Sequence, residues 1–180
     1  MGYNRVNKTR NVRMGQSERI FYRGQLLPLN VVSSNRVGNV SISAGSASLE
    51  ISIHPYLKSR LTDGDVKKWV RLWLESEARR LIPIKVREWA EKTSLYPDKL
   101  RVKDQRSRWG SCSSKGNINL NWRLIMAPET VMDYVIVHEL CHLRFPNHSK
   151  SFWALVAHYL PDFQMSKSWL RKNGQMLFLT

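Results

Sequence analysis

Residues 138–142 read His-Glu-Leu-Cys-His, an HExxH sequence within an apolar run that has helical spacing. Two histidines four positions apart lie one turn from each other on the same face of an α-helix, so their imidazoles can bind one metal ion. Glu139 then lies beside the first ligand, where it can act on a metal-bound water. The stretch predicts a metal-binding helix, and zinc is the usual ion at such sites. The alternative is that His138 and His142 are ordinary polar positions on a half-buried helix.

A third metal ligand is expected downstream, because catalytic zinc sites use three protein ligands and leave a fourth position for water. The helix should end just before Pro146, since the residue that precedes a proline disfavours helical geometry. His148 follows this break, so the turning chain can bring its ring to the metal. His158 and Asp162 are the alternatives, and no glutamate follows Glu139. His158 lies in an apolar stretch, where a packing role is more common.

The sequence around the motif resembles a known family. Two consecutive segments carry the resemblance, 105–137 (QRSRWGSCSSKGNINLNWRLIMAPETVMDYVIV) and 138–153 (HELCHLRFPNHSKSFW). They are similar to the YgjP-like family of metal-dependent hydrolases, which is related to the minigluzincin, SprT-like and WLM-type metallopeptidases. The resemblance is dense from about Asp104 to Trp169.

The family pattern HExxHxxxxxH implies roles for four residues of this chain. By this resemblance His138, His142 and His148 bind one zinc ion per chain, and Glu139 is catalytic. Other divalent transition metals, such as Ni²⁺, Co²⁺ and Mn²⁺, suit the same ligands.

The hydrophobic patterns predict an α+β fold, which the resemblance places among the zincin-like metallopeptidase domains. This fold would contain an N-terminal antiparallel β region, a long helix, a β-hairpin and the HExxH helix. Residues 1–16 are predicted to be a basic, disordered tail, and residues 17–180 to be a single YgjP-like metallohydrolase domain. The β region would span about 17–60 and the catalytic core about 61–180.

Residue patterns also predict the individual elements. A capping box at Thr62–Asp65 opens the long helix, which Pro83 should kink or split before it ends near Lys92. The other elements are strands at 17–32, 36–43, 46–54 and 100–103, a hairpin of 108–112 with 118–122, the metal helix from near Pro128, and helices at about 150–159 and 162–172.

A strand edge beside the metal helix is the expected substrate site, because an extended peptide can add to it by main-chain hydrogen bonds. The strand at 109–112 is the first choice and 117–122 the second. Gly110 would permit close backbone approach. Four further side chains are considered as substrate contacts or oxyanion donors, namely Arg106, Arg108, Trp109 and Asn119. Trp109 and Trp122 are more often core residues than substrate platforms.

The charge is unusual. The chain has a formal net charge of +15 and a pI near 10.3. Residues 101–123 carry six basic side chains against one acidic, whereas residues 124–180, which hold the metal motif, carry five against four. A polyanionic partner such as nucleic acid or a nucleotide would fit this distribution. The alternative is a charged surface with no specific partner.

Other features limit the location of the protein. No apolar run approaches the ~20 residues that cross a bilayer, and the first 16 residues contain no apolar stretch typical of a signal peptide. The two cysteines, Cys112 and Cys141, do not favour a disulfide scaffold. We therefore predict a cytoplasmic protein without membrane contact.

The sequence thus favours a zinc-dependent hydrolase, first of all a metallopeptidase whose zinc-bound water is activated by Glu139 and whose substrate is a peptide or protein. One alternative is a metal-dependent nucleotide phosphohydrolase (a pyrophosphatase). Against it, the chain has neither a GxxxxGK[ST] loop nor an acidic cluster for Mg²⁺. Another is a nucleic-acid-associated protein with protease activity on DNA-bound proteins.

Overall fold

A computed structural model describes residues 18–34, 40–58 and 60–178. The predicted tail at 1–16 lies outside the described residues. The described chain is α+β, as predicted, and divides into two compact units. One unit comprises the described residues up to 20 together with those of 27–70, and the other comprises 21–26 together with 71–178. The assignment of 17–180 to a single domain stays a prediction.

The described elements follow in chain order. The strands are β1 (Arg19–Tyr22), β2 (Gln25–Ser33), β3 (Ser41–Ala44), β4 (Leu49–Ile53), β5 (Lys99–Lys103), β6 (Gly110–Cys112) and β7 (Asn117–Asn121). The helices are α1 (Pro55–Lys58), α2 (Asp63–Thr93), α3 (Glu129–Cys141), α4 (Lys150–Tyr159) and α5 (Phe163–Asn173), with 3₁₀ turns at Trp122–Met126 and Gly174–Phe178.

The N-terminal sheet has the strand order β1-β2-β4-β3. Leu49, Ile51 and Ile53 of β4 are fully buried, which confirms the predicted alternation. The prediction of an antiparallel region is confirmed for β3 and β4 and is wrong for β2, which pairs with β4 in parallel. Because one edge of β4 pairs with β3, the other edge of β4 is available to pair with β2. Alternating burial shows which side chains point inward, but it carries no information on strand direction.

The region 17–32, where short strands are predicted, contains two of them, β1 and β2. Arg23 and Gly24 separate them, and both have positive φ angles of 49° and 81°. A residue with positive φ cannot continue a regular strand, so the chain turns here.

The predicted capping box at the start of α2 is confirmed. The Thr62 hydroxyl accepts a hydrogen bond from the main-chain N–H of Asp65 at 3.2 Å, and the Asp65 carboxylate accepts one from the main-chain N–H of Thr62 at 3.0 Å. This reciprocal pair satisfies N–H groups that the first helical turn leaves without partners.

Of the two outcomes expected at Pro83, the split of α2 is wrong and the kink stays a prediction. The helix is continuous from Asp63 to Thr93, with Pro83 inside it. A buried stripe at four-residue spacing runs past the proline, consisting of Leu74, Ala78, Ile82, Val86 and Ala90. Burial of this apolar face stabilises the helix on both sides, which offsets the hydrogen bond that the proline cannot donate.

The sheet of the second unit has the strand order β5-β7-β6. The predicted hairpin is confirmed as the antiparallel pair β6 and β7, and β5 pairs with β7 in parallel. The central position of β7 rules out the second choice of peptide-binding edge, at 117–122. The two edges of this sheet are β5 and β6.

The metal-motif helix α3 begins after Pro128, as predicted, and most of its side chains are buried. It ends at Cys141, earlier than the expected position just before Pro146, and His142 is its C-cap. Main-chain bonds from Leu143, Arg144 and Phe145 to the last helical carbonyls continue the chain as a turn. The two helices predicted to follow are confirmed as α4 and α5.

A buried arginine beside the second sheet supplies a test of stability. The Arg123 side chain is only 8% exposed, packs over the Trp122 ring at 4.4 Å and forms a short ion pair with Asp104, which also accepts from Arg71 at 2.8 Å. We expect Asp104→Asn to lower the free energy of unfolding by about 1–2 kcal/mol at neutral pH, because Arg123 loses its counter-ion. Asp98→Asn, which changes an exposed aspartate, is the control.

The same variant has an expected pH dependence. The Arg123 guanidinium lowers the pKa of Asp104 below its ordinary value. A lowered pKa adds stability above the unfolded-state value, and this stability is lost as the pH falls through the folded-state value. The difference between wild type and Asp104→Asn, measured by urea unfolding, should therefore shrink in acid. A difference that is constant with pH would contradict this ion pair's role.

Candidate metal centre

Three histidine rings meet at the end of α3. The Nε2 atom of His138 lies 3.2 Å from Nε2 of His142 and 3.0 Å from Nε2 of His148. One ligand atom from each ring lies within 4.8 Å of the others. Within the part of the chain that the structure describes, this is the one group of His, Cys, Asp or Glu side chains found suitable for a metal ion.

Each ring is held by a different local feature. His138 is in the last turns of α3, and His142 caps that helix. Nδ1 of His142 lies 3.0 Å from the carbonyl oxygen of Phe145, to which the ring N–H donates. His148 precedes α4 and stacks on Trp153 with ring centres 5.5 Å apart and planes at 19°.

Packing around the rings is aromatic. Phe152 is fully buried and stacks on His142 at 4.4 Å between ring centres. Its ring also meets His138 and His148 edge-on, at 4.9 Å each. The Phe152 ring therefore packs against all three imidazoles.

The protonation of the rings suits a cation. Burial lowers the pKa of His138 to about 3 and also lowers the pKa of His148, so both rings are neutral at physiological pH. Nδ1 of His142 carries the proton that it donates to the Phe145 carbonyl. In the neutral form of this ring, Nε2 therefore carries a lone pair that points at the cluster. Nδ1 of His138 is buried and has no hydrogen-bond partner among the described residues.

Glu139 lies on the neighbouring face of α3 and is 6% exposed. Burial raises the pKa of its carboxyl group to about 7, and the positive charge of Arg108 acts in the opposite direction. Gly110 of β6 lies directly against this carboxylate. A Cβ atom at position 110 would be 2.5 Å from Oε1 and 2.8 Å from Cδ of Glu139. The close approach expected for Gly110 is therefore to the glutamate itself.

A cavity of about 220 Å³ adjoins the cluster. Its walls come from the start of β6, from α3 and from α5, and consist of Trp109, Gly110, Tyr134, Val135, His138, Glu139, Lys167 and Leu170. Trp109 and Gly110 thus line a space that reaches the predicted metal ligand and the predicted catalytic glutamate.

The other predicted substrate contacts lie elsewhere. Asn119 is in the central strand β7, donates to the Ser111 hydroxyl at 3.2 Å and does not line the cavity. Arg106 and Arg108 are exposed and also lie outside the cavity wall, although the charge of Arg108 reaches Glu139. Trp122 is buried, as expected of a core residue.

The alternative third ligands are separate from the cluster. His158 is exposed on α4, and its ring packs against the Tyr159 ring. Asp162 is exposed at the start of α5. Neither belongs to the group of three histidines.

Four residues of the cavity wall were missed from the sequence, the apolar Val135 and Leu170 and the polar Tyr134 and Lys167. Tyr134 is one turn before His138 on the same face of α3, and this spacing was a usable signal. Lys167 belongs to α5, and nothing local in the sequence connects it with the motif.

Comparison with known proteins identifies the family to which this chain belongs. The sequence model of the YgjP-like family, described as a metallopeptidase domain, matches residues 3–173. The chain belongs to the YgjP-like family. It is therefore a metal-dependent hydrolase of the metallopeptidase class, and this family implies a divalent metal, for which the three histidines form a candidate site.

Solved structures resemble part of this YgjP-like chain. The metallopeptidase zymogen of Pyrococcus abyssi abylysin is 23% identical, with a TM-score of 0.46, over 51% of this chain and 94% of that one. The metallopeptidase zymogen of Methanocaldococcus jannaschii jannalysin is 20% identical, with a TM-score of 0.41, over 47% of this chain and 90% of that one. No curated protein matches the chain at a significant level. Among the described residues, no helix has the length and apolar character to span a membrane.

Proposed function

We propose that the protein is a zinc-dependent peptidase in which His138, His142 and His148 hold one zinc ion. The spacing of the ring nitrogens is the observation that carries this proposal. Two nitrogens at zinc–nitrogen distances of about 2.0–2.1 Å and a tetrahedral angle lie about 3.3 Å apart. The separations from His138, 3.2 Å and 3.0 Å, are close to that value.

The hydrogen-bond pattern also fits a cation. Nε2 of His142 faces Nε2 of His138 at 3.2 Å, and a single ring nitrogen of His138 carries at most one proton for two neighbouring rings. A positive ion between the three nitrogens would satisfy all their lone pairs at once. The hydrogen bond from Nδ1 of His142 to the Phe145 carbonyl orients that ring for binding through Nε2.

We propose Glu139 as the proton carrier of the reaction. Zinc at this site would polarise the substrate carbonyl and acidify a water molecule. The Glu139 carboxylate would accept a proton from the attacking water and pass it to the nitrogen of the leaving amine. Its burial and its place in the cavity wall beside His138 support this role.

The substrate peptide would lie along β6. This strand pairs with β7 on one side only, so its other edge offers main-chain groups to an extended peptide. Gly110 is the first residue of β6 and contacts Glu139, so a peptide paired with β6 would pass close to the carboxylate. Trp109 and Arg108 precede this strand and are the side chains that we expect near the substrate backbone.

The remaining partners and the location stay predictions. Nucleic acid or nucleotide contact is supported by the net charge of +15 and by exposed Lys99, Arg101 and Lys103 on the edge strand β5. The cavity favours a peptide over a nucleotide, since Glu139 is the only acidic group that the described residues place in its wall, without a second acid for Mg²⁺. A cytoplasmic location rests on the sequence alone.

Digestion of an unfolded protein tests the proposed function. Zinc-loaded protein should cleave reduced casein, lose this activity on chelation and regain it when zinc is added back. His142→Ala should remain inactive after zinc is added, although its circular dichroism is unchanged. Cleavage that survives chelation, or a zinc-loaded protein that cleaves no peptide bond, would contradict the proposal.

A further inference from the structure

A single lysine shares the cavity with the predicted catalytic groups. Lys167 is exposed on α5, and its side chain lines the same space of about 220 Å³ as His138 and Glu139. Among the described residues, it is the only Lys or Arg in the wall of that cavity. The cavity therefore contains one permanent positive charge near the reacting groups.

An aromatic ring holds this charge in place. Nζ of Lys167 lies 4.2 Å from the centre of the Trp153 ring, within the range of a cation–π interaction. Trp153 in turn stacks on His148 and, at 5.4 Å and 13°, on Phe163. The ammonium group thus lies over a ring that also stacks on His148.

The lysine has no acidic partner. Among the residues that the structure describes, no carboxylate lies within ion-pair distance of Lys167, although nine ion pairs are formed elsewhere in them. An ammonium group that lines a cavity and has no carboxylate partner among the described residues can bind an anion from outside.

We propose that Lys167 binds a carboxylate group of the substrate, next to the bond that is cleaved. The inference rests on the proposed peptidase function and specifies its substrate class. The Lys167 ammonium is a compact point charge that can pair with one carboxylate, which is the anionic group that a peptide supplies. The carboxylate can come from an acidic side chain or from the C-terminus of a short peptide.

Binding of a matched pair of small acids tests the lysine without catalysis. Glutarate carries two carboxylates, and glutaramate, its monoamide, has the same length but only one. In zinc-loaded protein, one carboxylate can bind the metal while the second reaches Lys167. We expect glutarate to bind roughly tenfold more tightly by calorimetry, beyond the about twofold statistical advantage of two equal ends.

Substitutions at position 167 separate charge from packing. Lys167→Met keeps the length of an exposed side chain and should bind the two acids equally, apart from the statistical factor. Lys167→Arg keeps the charge and should retain the preference. Lys172→Met, an exposed lysine of the same helix outside the cavity, should behave as wild type.

The outcomes are distinct. A wild-type protein with no preference, or a preference that survives Lys167→Met, would overturn the inference. Zinc content is measured on the same samples by elemental mass spectrometry. A wild type that does not retain zinc would contradict the proposed function and would overturn this inference with it.

Peptide cleavage then identifies the source of the carboxylate. A degenerate peptide mixture is digested with free and with amidated C-termini, and the products are identified by mass spectrometry. A preference for Glu over Gln that is insensitive to amidation indicates an acidic side chain, and a preference lost on amidation indicates a terminal carboxylate. Equal cleavage of all these peptides by wild type and Lys167→Met would overturn the inference.

Discussion

Glu139→Gln is expected to bind zinc as wild type does and to lose peptidase turnover by a factor of about 10²–10⁴. Glutamine has nearly the shape of glutamate, so the packing around this 6% exposed side chain is kept. Its amide, however, cannot accept a proton from water. The comparison measures kcat on a fluorogenic peptide together with the zinc content of both proteins.

Glu91→Gln is the matched control for this experiment. Glu91 is an exposed residue of α2 that does not line the cavity, so its substitution should leave both zinc content and turnover unchanged. Turnover near the wild-type value in Glu139→Gln would remove Glu139 from the proposed proton transfer.

Gly110→Ala is the second substitution with a large expected effect. The added methyl group would be 2.5 Å from Oε1 and 2.6 Å from Cγ of Glu139, so the carboxylate must shift. A displacement of about 1 Å at a reacting group costs roughly 10²-fold in rate. We therefore expect kcat to fall by about that factor, while the three histidines retain zinc.

Two comparisons show whether Gly110 acts through the glutamate. Gly64→Ala places its methyl group at an ordinary 3.7 Å from Thr62 and should leave turnover unchanged. In a Glu139→Gln background, Gly110→Ala should cost little more, because the effects of coupled residues are not additive. If the two losses in kcat are fully additive, the methyl group obstructs the bound peptide and does not act by displacing the Glu139 carboxylate.

Much of this arrangement could be predicted from short-range patterns. The i, i+4 spacing of His138 and His142 places both rings on one face of a helix whatever the remainder of the fold. The Thr62–Asp65 capping box and the β6–β7 hairpin are also local features, and the structure shows both. Such features depend only on residues that are close in sequence.

Features set by distant partners were missed or wrong. The parallel pairing of β2 with β4 and the central place of β7 depend on which strands meet, and alternating burial does not encode this. The helix continues through Pro83 because its buried stripe is packed, a stabilisation that local propensity does not include. Lys167 reaches the cavity because of how α5 packs, and no local sequence motif predicts that packing.

The zinc content of wild type, His148→Ala and His158→Ala, measured by elemental mass spectrometry, tests the three-histidine site most directly. Loss of an outer-shell partner alone weakens metal binding about 10–100-fold, so loss of a direct ligand should cost more. We predict about one zinc per chain in wild type and in His158→Ala, whose exposed ring lies outside the cluster, and far less in His148→Ala. Equal zinc in His148→Ala and wild type, or no zinc in either, would contradict the account.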